Sequence, residues 1–191
     1  SCAIIEMDLE GHCVFINTVF ANWFGKPREE LLGFKVRDML PPDSRKKSEP
    51  YYQRALNGEH IYFEDRIRYP TGIEREVSIE YTPKLNTAGE RVGIIIYSTD
   101  ITERKRTERT LARLYSITST RELTTDHKIS QILKLGCEHF GLPIGIISRI
   151  IEGHYSIIYA ESAKSDVQVG ASYDLDETYC AHALKADGPI A

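Results

Sequence analysis

The sequence predicts an α+β fold. Two strand-like segments open the chain, several short helical segments follow, and three further segments alternate apolar with polar side chains. Alternation with period two indicates strands that are buried on one face, whereas apolar spacing near 3.6 indicates helices. Because strands and helices come in groups along the chain, the order is that of an α+β domain with an antiparallel sheet.

The opening segments predict a hairpin and a group of short helices. Residues 3–9 alternate apolar with polar side chains, Gly11 permits a turn, and residues 13–16 form the second predicted strand. Residues 18–40 change to helical spacing, and Pro27 interrupts it. We expect several short helices in that region.

A charged helix and three strands are predicted next. Residues 43–57 carry many charged and tyrosine side chains, and Gly58 follows as a helix stop signal. Residues 61–69 and 73–82 alternate apolar with polar side chains, and residues 92–97 form an apolar run that is typical of a buried strand.

The last of these strands gives way to a charged helix near Asp100. The Asp100 side chain can cap the helix, and Glu103, three residues on, can complete a capping box. The helix continues with a thin apolar seam that is too narrow for a core helix but suits pairing with a second helix. We therefore predict a homodimer formed through the helix of residues 101–120. The seam consists of Leu111, Leu114 and Ile117.

A second domain is expected from residue 123 onward. Apolar residues at helical spacing predict a helix, and residues 144–151 and 155–160 predict two strands after it. A helix over residues 177–185 and a strand that starts at Pro189 are predicted to follow. Because the chain stops as that strand begins, we expect it to be a piece of a longer protein.

Composition narrows the classes of partner. The formal net charge of -4 argues against binding to nucleic acid and to anionic membrane surfaces, since either would need a basic face. The longest apolar runs fall well short of the roughly 20 residues that span a bilayer. Four cysteines without a disulfide-framework spacing favour a reducing compartment, so we expect a cytoplasmic protein.

Residues 3 to about 107 resemble a PAS domain of the S-box kind. The resemblance lies in the opening hairpin, in the short-helix segment and in the Asp-Ile-Thr signature of the C-terminal PAC motif. The matching segments are Ala3–Gly11, Val14–Asn17, Phe20–Gly25, Arg28–Gly33 and Tyr97–Lys105. The resemblance implies a PAS fold over residues 1–100, with a five-stranded antiparallel sheet and short helices, and a signalling helix over residues 101–122.

Residues 123–191 are similar to the N-terminal half of a GAF domain, through Gly141–Arg149 and Leu175–Cys180. PAS followed by GAF occurs in sensor histidine kinases, in cyclic-di-GMP enzymes and in some regulators. The resemblance therefore implies a sensory module that relays a signal to an output domain. A histidine kinase of a two-component system is the first expectation, and a diguanylate cyclase or phosphodiesterase, or a transcriptional regulator, is the alternative. No catalytic motif occurs within these residues.

The PAS resemblance implies a pocket between the sheet and the short helices. Residues 43–57 contain no His that could bind haem iron, and no Cys lies between Cys13 and Cys137 for a covalent flavin bond. We expect no cofactor, and we consider a non-covalent apolar ligand in the PAS or GAF domain instead. Simple core packing of the same side chains is the alternative. The pocket residues would be Phe15, Phe20, Trp23, Phe24, Phe63 and Ile79.

Two further features of the sequence invite a functional interpretation. Cys137 and Cys180 each lie two residues before a His, but side chains two apart on a helix point about 200° away from each other, so we expect no metal site. Asp100, Ile101 and Thr102 lie where the last strand becomes the linker helix. We expect them to relay strand movement to helix pairing, and a plain helix cap is the alternative.

Overall fold

The computed structural model describes residues 2–162 and 167–184. The chain forms two compact units, Ser1–Arg106 and Thr107–Ala191, and each has its own sheet. The predicted α+β class is confirmed. Within the described residues, no helix combines the length and the apolar character that a membrane crossing requires.

The first unit has five strands and three short or medium helices, and a fourth helix starts at its end. The strands are β1 (Cys2–Met7), β2 (Cys13–Ile16), β3 (Ile61–Arg68), β4 (Glu74–Leu85) and β5 (Arg91–Asp100). The helices are α1 (Thr18–Phe24), α2 (Val36–Met39), α3 (Pro42–Leu56) and α4 (Thr102–Ser119), with a 3-10 turn at Arg28–Glu30.

The five strands form one antiparallel sheet in the order β2-β1-β5-β4-β3. The first strand therefore lies beside the last, with Ile5 opposite Ile96, and β5 in turn pairs with β4, with Ile79 opposite Ser98. This order brings side chains from both ends of the unit onto one central face. At Gly93 of β5, a Cβ atom would overlap the Met7 carbonyl oxygen, so only glycine lets β1 and β5 approach so closely.

Helices α1 to α3 cover one face of the sheet and form the core with it. The period-two pattern of β3 decides which face this is, because Ile61, Phe63 and Ile67 are buried while the residues between them are mostly exposed. Asn17 ties α1 to β1, since its side-chain oxygen accepts hydrogen bonds from the amides of Phe20 and Ile4.

The second unit contains a three-stranded antiparallel sheet with a helix against it. Its elements are α5 (Thr125–Phe140), β6 (Ile144–Ile151), β7 (His154–Ser162), β8 (Ser172–Asp174) and α6 (Tyr179–Leu184). The strand order is β6-β7-β8, and α5 packs on β6 and β7. Five isoleucines of β6 remain substantially exposed within the part of the chain that the structure describes.

The predicted elements of the second unit are mostly confirmed. The helix ends at Gly141, whose φ of 67° is the left-handed cap conformation that glycine adopts without strain. The predicted helix over 177–185 is instead a 3-10 turn at Leu175–Glu177 followed by α6. Strand β8 was not predicted from the sequence. The predicted strand from Pro189 lies outside the described residues.

Candidate ligand pocket and helix junction

A cavity of about 40 Å³ lies in the first unit between the inner face of the sheet and the helices. Most of its wall is apolar, but six polar residues also reach it. The apolar wall residues are Ile5, Phe20, Phe24, Val36, Leu40, Ile67, Ile79 and Ile96. The polar wall residues are Ser44, Ser48, Asp65, Tyr69, Tyr81 and Ser98. An apolar cavity with a few convergent polar groups is the usual form of a small-molecule site.

Helix α3 contributes two serines to this wall. Ser44 and Ser48 are four residues apart and therefore lie on the same helix face, and both are buried. The Ser48 hydroxyl donates to the Arg45 carbonyl at 3.2 Å and lies near Tyr81. Small side chains at these two positions leave space that larger residues would fill.

Asp65 places a carboxylate in the same wall. It lies on the inner face of β3, and its side chain is only 8% exposed. Its Oδ1 atom pairs with the ammonium group of Lys47 on α3 at 3.2 Å. The pairing partly offsets the free-energy cost of burying the carboxylate charge.

Two tyrosines line the cavity with their rings, each beside a buried serine. Tyr69 lies near Ser98, and Tyr81 lies near Ser48. Burial raises the pKa of both tyrosines above the usual value, although the nearby serine hydroxyls act in the opposite direction. Both phenols therefore stay protonated and act as neutral hydrogen-bonding groups.

The structure brings only some of the predicted pocket residues together. Phe20, Phe24 and Ile79 line the cavity. Trp23 and Phe63 are buried but lie outside its wall. Trp23 packs edge-on against Tyr69 with ring centroids 5.4 Å apart. The ring of Phe63 stacks on the ring of Tyr51, with centroids 4.3 Å apart.

Phe15 lies away from the cavity, and the reason is a bulge in the β1–β2 hairpin. The register shifts between Glu6 and Met7, which pair with Phe15 and Cys13 respectively. Val14 is thus an extra residue in β2, and Phe15 shares the outward face with Glu6. The Phe15 side chain is 42% exposed, and the Arg28 guanidinium lies 5.5 Å from the centre of its ring.

Sequence reasoning missed all six polar wall residues. One signal was present for Asp65, because an acidic residue interrupts the apolar positions Phe63 and Ile67 on one face of a strand. The spacing of Ser44 and Ser48 marked a common helix face, but nothing in the sequence showed that this face is buried. Ser98 belongs to the segment that resembles the PAC motif and was not considered as a wall residue.

The three predicted relay residues join β4, β5 and α4 at one point. The Ile101 amide donates to the Glu76 carbonyl at 2.8 Å, and the Glu76 amide donates to the Thr102 hydroxyl at 3.0 Å. Asp100 accepts a hydrogen bond from Arg75 at 2.5 Å. The strand end and the first turn of the helix are therefore fastened to the same short stretch of β4.

The predicted helix cap is one residue too early. The Ile101 carbonyl accepts the first helical hydrogen bond, from the Lys105 amide at 2.9 Å, so Ile101 holds the cap position. Asp100 is still paired with Val77 in the sheet. Its carboxylate accepts a hydrogen bond from the Thr102 amide at 3.0 Å. Asp100 therefore binds the first turn of α4 from the position before the cap residue.

The Asp100 carboxylate is stabilised in its charged form. Partial burial acts to raise its pKa, but the hydrogen bonds from Thr102 and Arg75, together with the Arg75 charge, hold the pKa below its usual value. Arg75 also lies over the Trp23 ring, 5.1 Å from the ring centre. Its Nε atom is buried without a hydrogen-bond partner among the described residues. The Arg75 side chain thus connects α1 to the junction.

Glu64 on the outer face of β3 holds the next turn of α4. Its carboxylate pairs with Arg104 at 2.9 Å and with Lys105 at 2.6 Å. Hydrogen bonds from Lys105 and Arg104 lower the pKa of Glu64. The start of α4 is thereby bound to the sheet on a second side.

The Cys137 and His139 side chains contact different parts of the second unit. The Cys137 sulfur lies against Gly145 of β6, whereas the His139 ring contacts the Thr110 hydroxyl at 3.1 Å. The two side chains of this pair therefore point to different neighbours. Across residues 2–162 and 167–184, no three His, Cys, Asp or Glu side chains group as a metal site would require.

Comparison with solved structures shows the fold of the first unit. An RNA-binding light-oxygen-voltage receptor is 24% identical, with a TM-score of 0.52, and the match covers 60% of this chain and 34% of that one. A PAS domain from Colwellia psychrerythraea is 22% identical with a TM-score of 0.47, over 54% of this chain and 88% of that one. The VqmA dimer of Vibrio cholerae, a LuxR-type receptor, is 20% identical with a TM-score of 0.47, over 55% and 48%.

Comparison with sequences and with family models completes the assignment. No curated protein matches the chain. The model of the PAS fold family matches residues 1–106, which is more than half of the chain and coincides with the first compact unit. The chain therefore belongs to the PAS fold family, and its first unit is a PAS domain, a sensory signalling module.

Proposed function

We propose that the chain is the sensory input region of a signalling protein, in which the PAS domain binds a small molecule in its core cavity. The observation that carries the proposal is that the cavity and the helix junction share one strand. Ile96 and Ser98 of β5 line the cavity, and Asp100 follows two residues later on the same face of that strand. A ligand that shifts β5 would therefore act directly on the start of α4.

Relay through Asp100, Ile101 and Thr102 is the mechanism that we propose. A ligand transmits a signal only if it contacts two states of the protein differently. The Arg75–Asp100 pair and the Glu76–Ile101 hydrogen bond are the contacts that a shift of β5 relative to β4 would strain. We expect ligand binding to change the amide hydrogen exchange of the first two turns of α4.

Native mass spectrometry of the chain purified from cells tests the ligand proposal. We expect a mass increment that disappears on denaturation, and the absorption spectrum will identify any haem or flavin. Ser44→Val is a matched variant, since its added methyl groups occupy cavity space, and it should retain less ligand. The ligand proposal is wrong if the chain has the same apo mass under native and denaturing conditions and no compound in a small-molecule screen shifts its melting temperature.

We propose that α4 also forms a homodimer through residues 101–120. Two large side chains on one helix face support this, since Leu111 is 59% exposed and Tyr115, four residues on, is 75% exposed. Leu111→Glu should shift the mass measured by analytical ultracentrifugation from dimer to monomer. Ser116→Glu is the control, because Ser116 is exposed and lies about 100° around the helix axis from Tyr115 and about 140° from Leu111. A monomeric unaltered chain would contradict the proposal.

For residues 123–191 we propose the first half of a GAF domain. The order of α5, β6 and β7 supports this interpretation, as do the exposed isoleucines of β6, which a completed domain would cover. In the full-length protein, the β6 amides should exchange more slowly than in this chain. Equal exchange rates in the two proteins would argue against it.

We further propose that the full-length protein is a sensor histidine kinase. The succession of a PAS-like and a GAF-like segment supports a signalling output, and it occurs in cyclic-di-GMP enzymes and in transcriptional regulators as well as in these kinases. Incubation of the full-length protein with ATP should yield an acid-labile phosphohistidine. Formation of cyclic-di-GMP from GTP, or specific DNA binding without autophosphorylation, would assign the alternative.

A further inference from the structure

Asp65 is an acidic residue at a position where the strand pattern calls for an apolar one. Its neighbours on the same face of β3, Phe63 and Ile67, are both buried. Its ion pair with Lys47, whose side chain is largely exposed, is of the kind that contributes little to stability. Folding alone therefore gives little reason for a carboxylate in the cavity wall, and a role toward a bound molecule accounts for it.

The charges of Asp65 and Lys47 determine which charge state of a bound molecule the cavity accepts. Lys47 balances the carboxylate from the solvent side, with its own side chain 63% exposed, so the pair is neutral as a whole. A ligand carboxylate in the cavity would face Asp65 at short range, and a ligand ammonium group would be desolvated beside a carboxylate that Lys47 already neutralises. A neutral hydroxyl meets neither penalty and can donate to Asp65.

The remaining wall fits the rest of such a molecule. Ser44 places a hydroxyl on the α3 side of the cavity, and the isoleucine and phenylalanine side chains surround an apolar body. A hydrogen bond to a charged acceptor is roughly twice as strong as one between neutral groups, so Asp65 would dominate the orientation. Since one water needs about 10–15 Å³, a cavity of about 40 Å³ has room for about three waters or a molecule of a few heavy atoms.

We propose that the PAS cavity takes a small neutral alcohol with an apolar body, and that Asp65 is the residue that selects it over acids and amines. The inference rests on the proposed function, because it assumes that the cavity binds a ligand. It adds the chemical class of that ligand and the residue that discriminates.

Three probes of nearly equal shape test the selection on the full chain. They are 2-methyl-1-propanol, 2-methylpropanoate and 2-methylpropylammonium, each titrated at pH 7 while the backbone amide signals of the cavity strands are followed by NMR. We expect the alcohol to bind about tenfold or more tightly than 2-methylpropanoate, which is the factor that one hydrogen bond to a charged group supplies. It should also bind more tightly than 2-methylpropylammonium, whose charge must be desolvated beside the neutral Lys47–Asp65 pair.

Two variants assign the preference to Asp65. In Asp65→Asn the amide group can donate to an acid, so the preference for the alcohol over 2-methylpropanoate should fall to about threefold or less. Asp43→Asn makes the same charge change at an exposed position of α3 and should keep the full preference. Lys47→Met leaves Asp65 without its balancing charge, so 2-methylpropylammonium should gain at least about threefold relative to the alcohol.

The outcomes separate this inference from the proposed function. If no probe binds to a folded chain, the selection of an alcohol is overturned, and the proposed function falls with it only if the small-molecule screen also finds no ligand. If the probes bind without preference, or if a charged probe binds tightest, only the selection of an alcohol is overturned. A preference that survives in Asp65→Asn, or a loss of melting temperature without any change in preference, shows that Asp65 only fastens α3 to the sheet. If Asp65→Asn does not fold, an unchanged preference in Lys47→Met overturns the inference.

Discussion

Asp100→Asn removes the negative charge that faces Arg75 but keeps an oxygen that can accept from the Thr102 amide. The two side chains are mostly buried, since Arg75 is 24% exposed and Asp100 18%. A hydrogen bond between charged groups contributes about 1.5–3 kcal/mol, and the bond from Arg75 to the neutral Asn oxygen should retain about 1 kcal/mol. We therefore expect the free energy of unfolding of the PAS domain to fall by about 0.5–2 kcal/mol at pH 7.

The loss of unfolding free energy in Asp100→Asn should depend on pH, and the direction of the Asp100 pKa shift decides how. Because the folded pKa of Asp100 lies below its ordinary value of 3.8, the carboxylate contributes stability above that value. The contribution is lost as the pH falls below about 4 and through the lowered pKa of the folded state. The difference between the unaltered chain and Asp100→Asn should therefore be largest near neutral pH and shrink toward pH 3.

The assay follows the fluorescence of the single tryptophan during urea unfolding. Trp23 lies in the PAS domain, so its signal reports on that unit and not on the second one. Asp43→Asn, at an exposed position, should change the unfolding free energy by less than about 0.5 kcal/mol. A loss in Asp100→Asn that is equally large at pH 3 and pH 7, or no larger than in the control, would refute the reasoning.

Two further predictions concern backbone packing and thiol reactivity. Gly93→Ala should lower the PAS unfolding free energy by more than about 2 kcal/mol, because its Cβ would overlap the Met7 carbonyl in the middle of the sheet. Gly136→Ala, on an open face of α5, should instead raise the melting temperature of the second unit, measured by circular dichroism, since alanine favours helix over glycine by about 1 kcal/mol. A stabilised Gly93→Ala together with a destabilised Gly136→Ala would contradict both predictions. Burial raises the pKa of the Cys13 thiol to about 11, so at pH 8 it should be alkylated more slowly than Cys137, and equal rates in the folded chain would count against its burial.

Local pattern predicted most of the architecture. The alternation in β3 and β4 predicted both strands and their buried face, and Gly141 marked the end of α5 because its left-handed conformation suits glycine. The α+β class followed from the order of these segments. Such features depend on residues close in sequence, which is why the sequence contains them.

The predictions for Phe15 and for the helix cap were wrong because both depend on how a strand pairs with its neighbour in the sheet. The face of Phe15 depends on the bulge opposite Glu6, and the cap moved from Asp100 to Ile101 because Asp100 remains paired in the sheet. Alternation within a single strand carries no information on either pairing.

The sequence by itself determined that this chain contains a PAS domain, where its strands and helices lie, and that a helix follows its last strand. Only the tertiary structure decided that a cavity exists and that Ser44, Asp65 and Ser98 share its wall. These residues come from α3, β3 and β5, and they meet because the strand order places β5 in the centre of the sheet and α3 across it. Convergence of side chains that are distant in sequence is a property of the packed fold, and no local pattern specifies it.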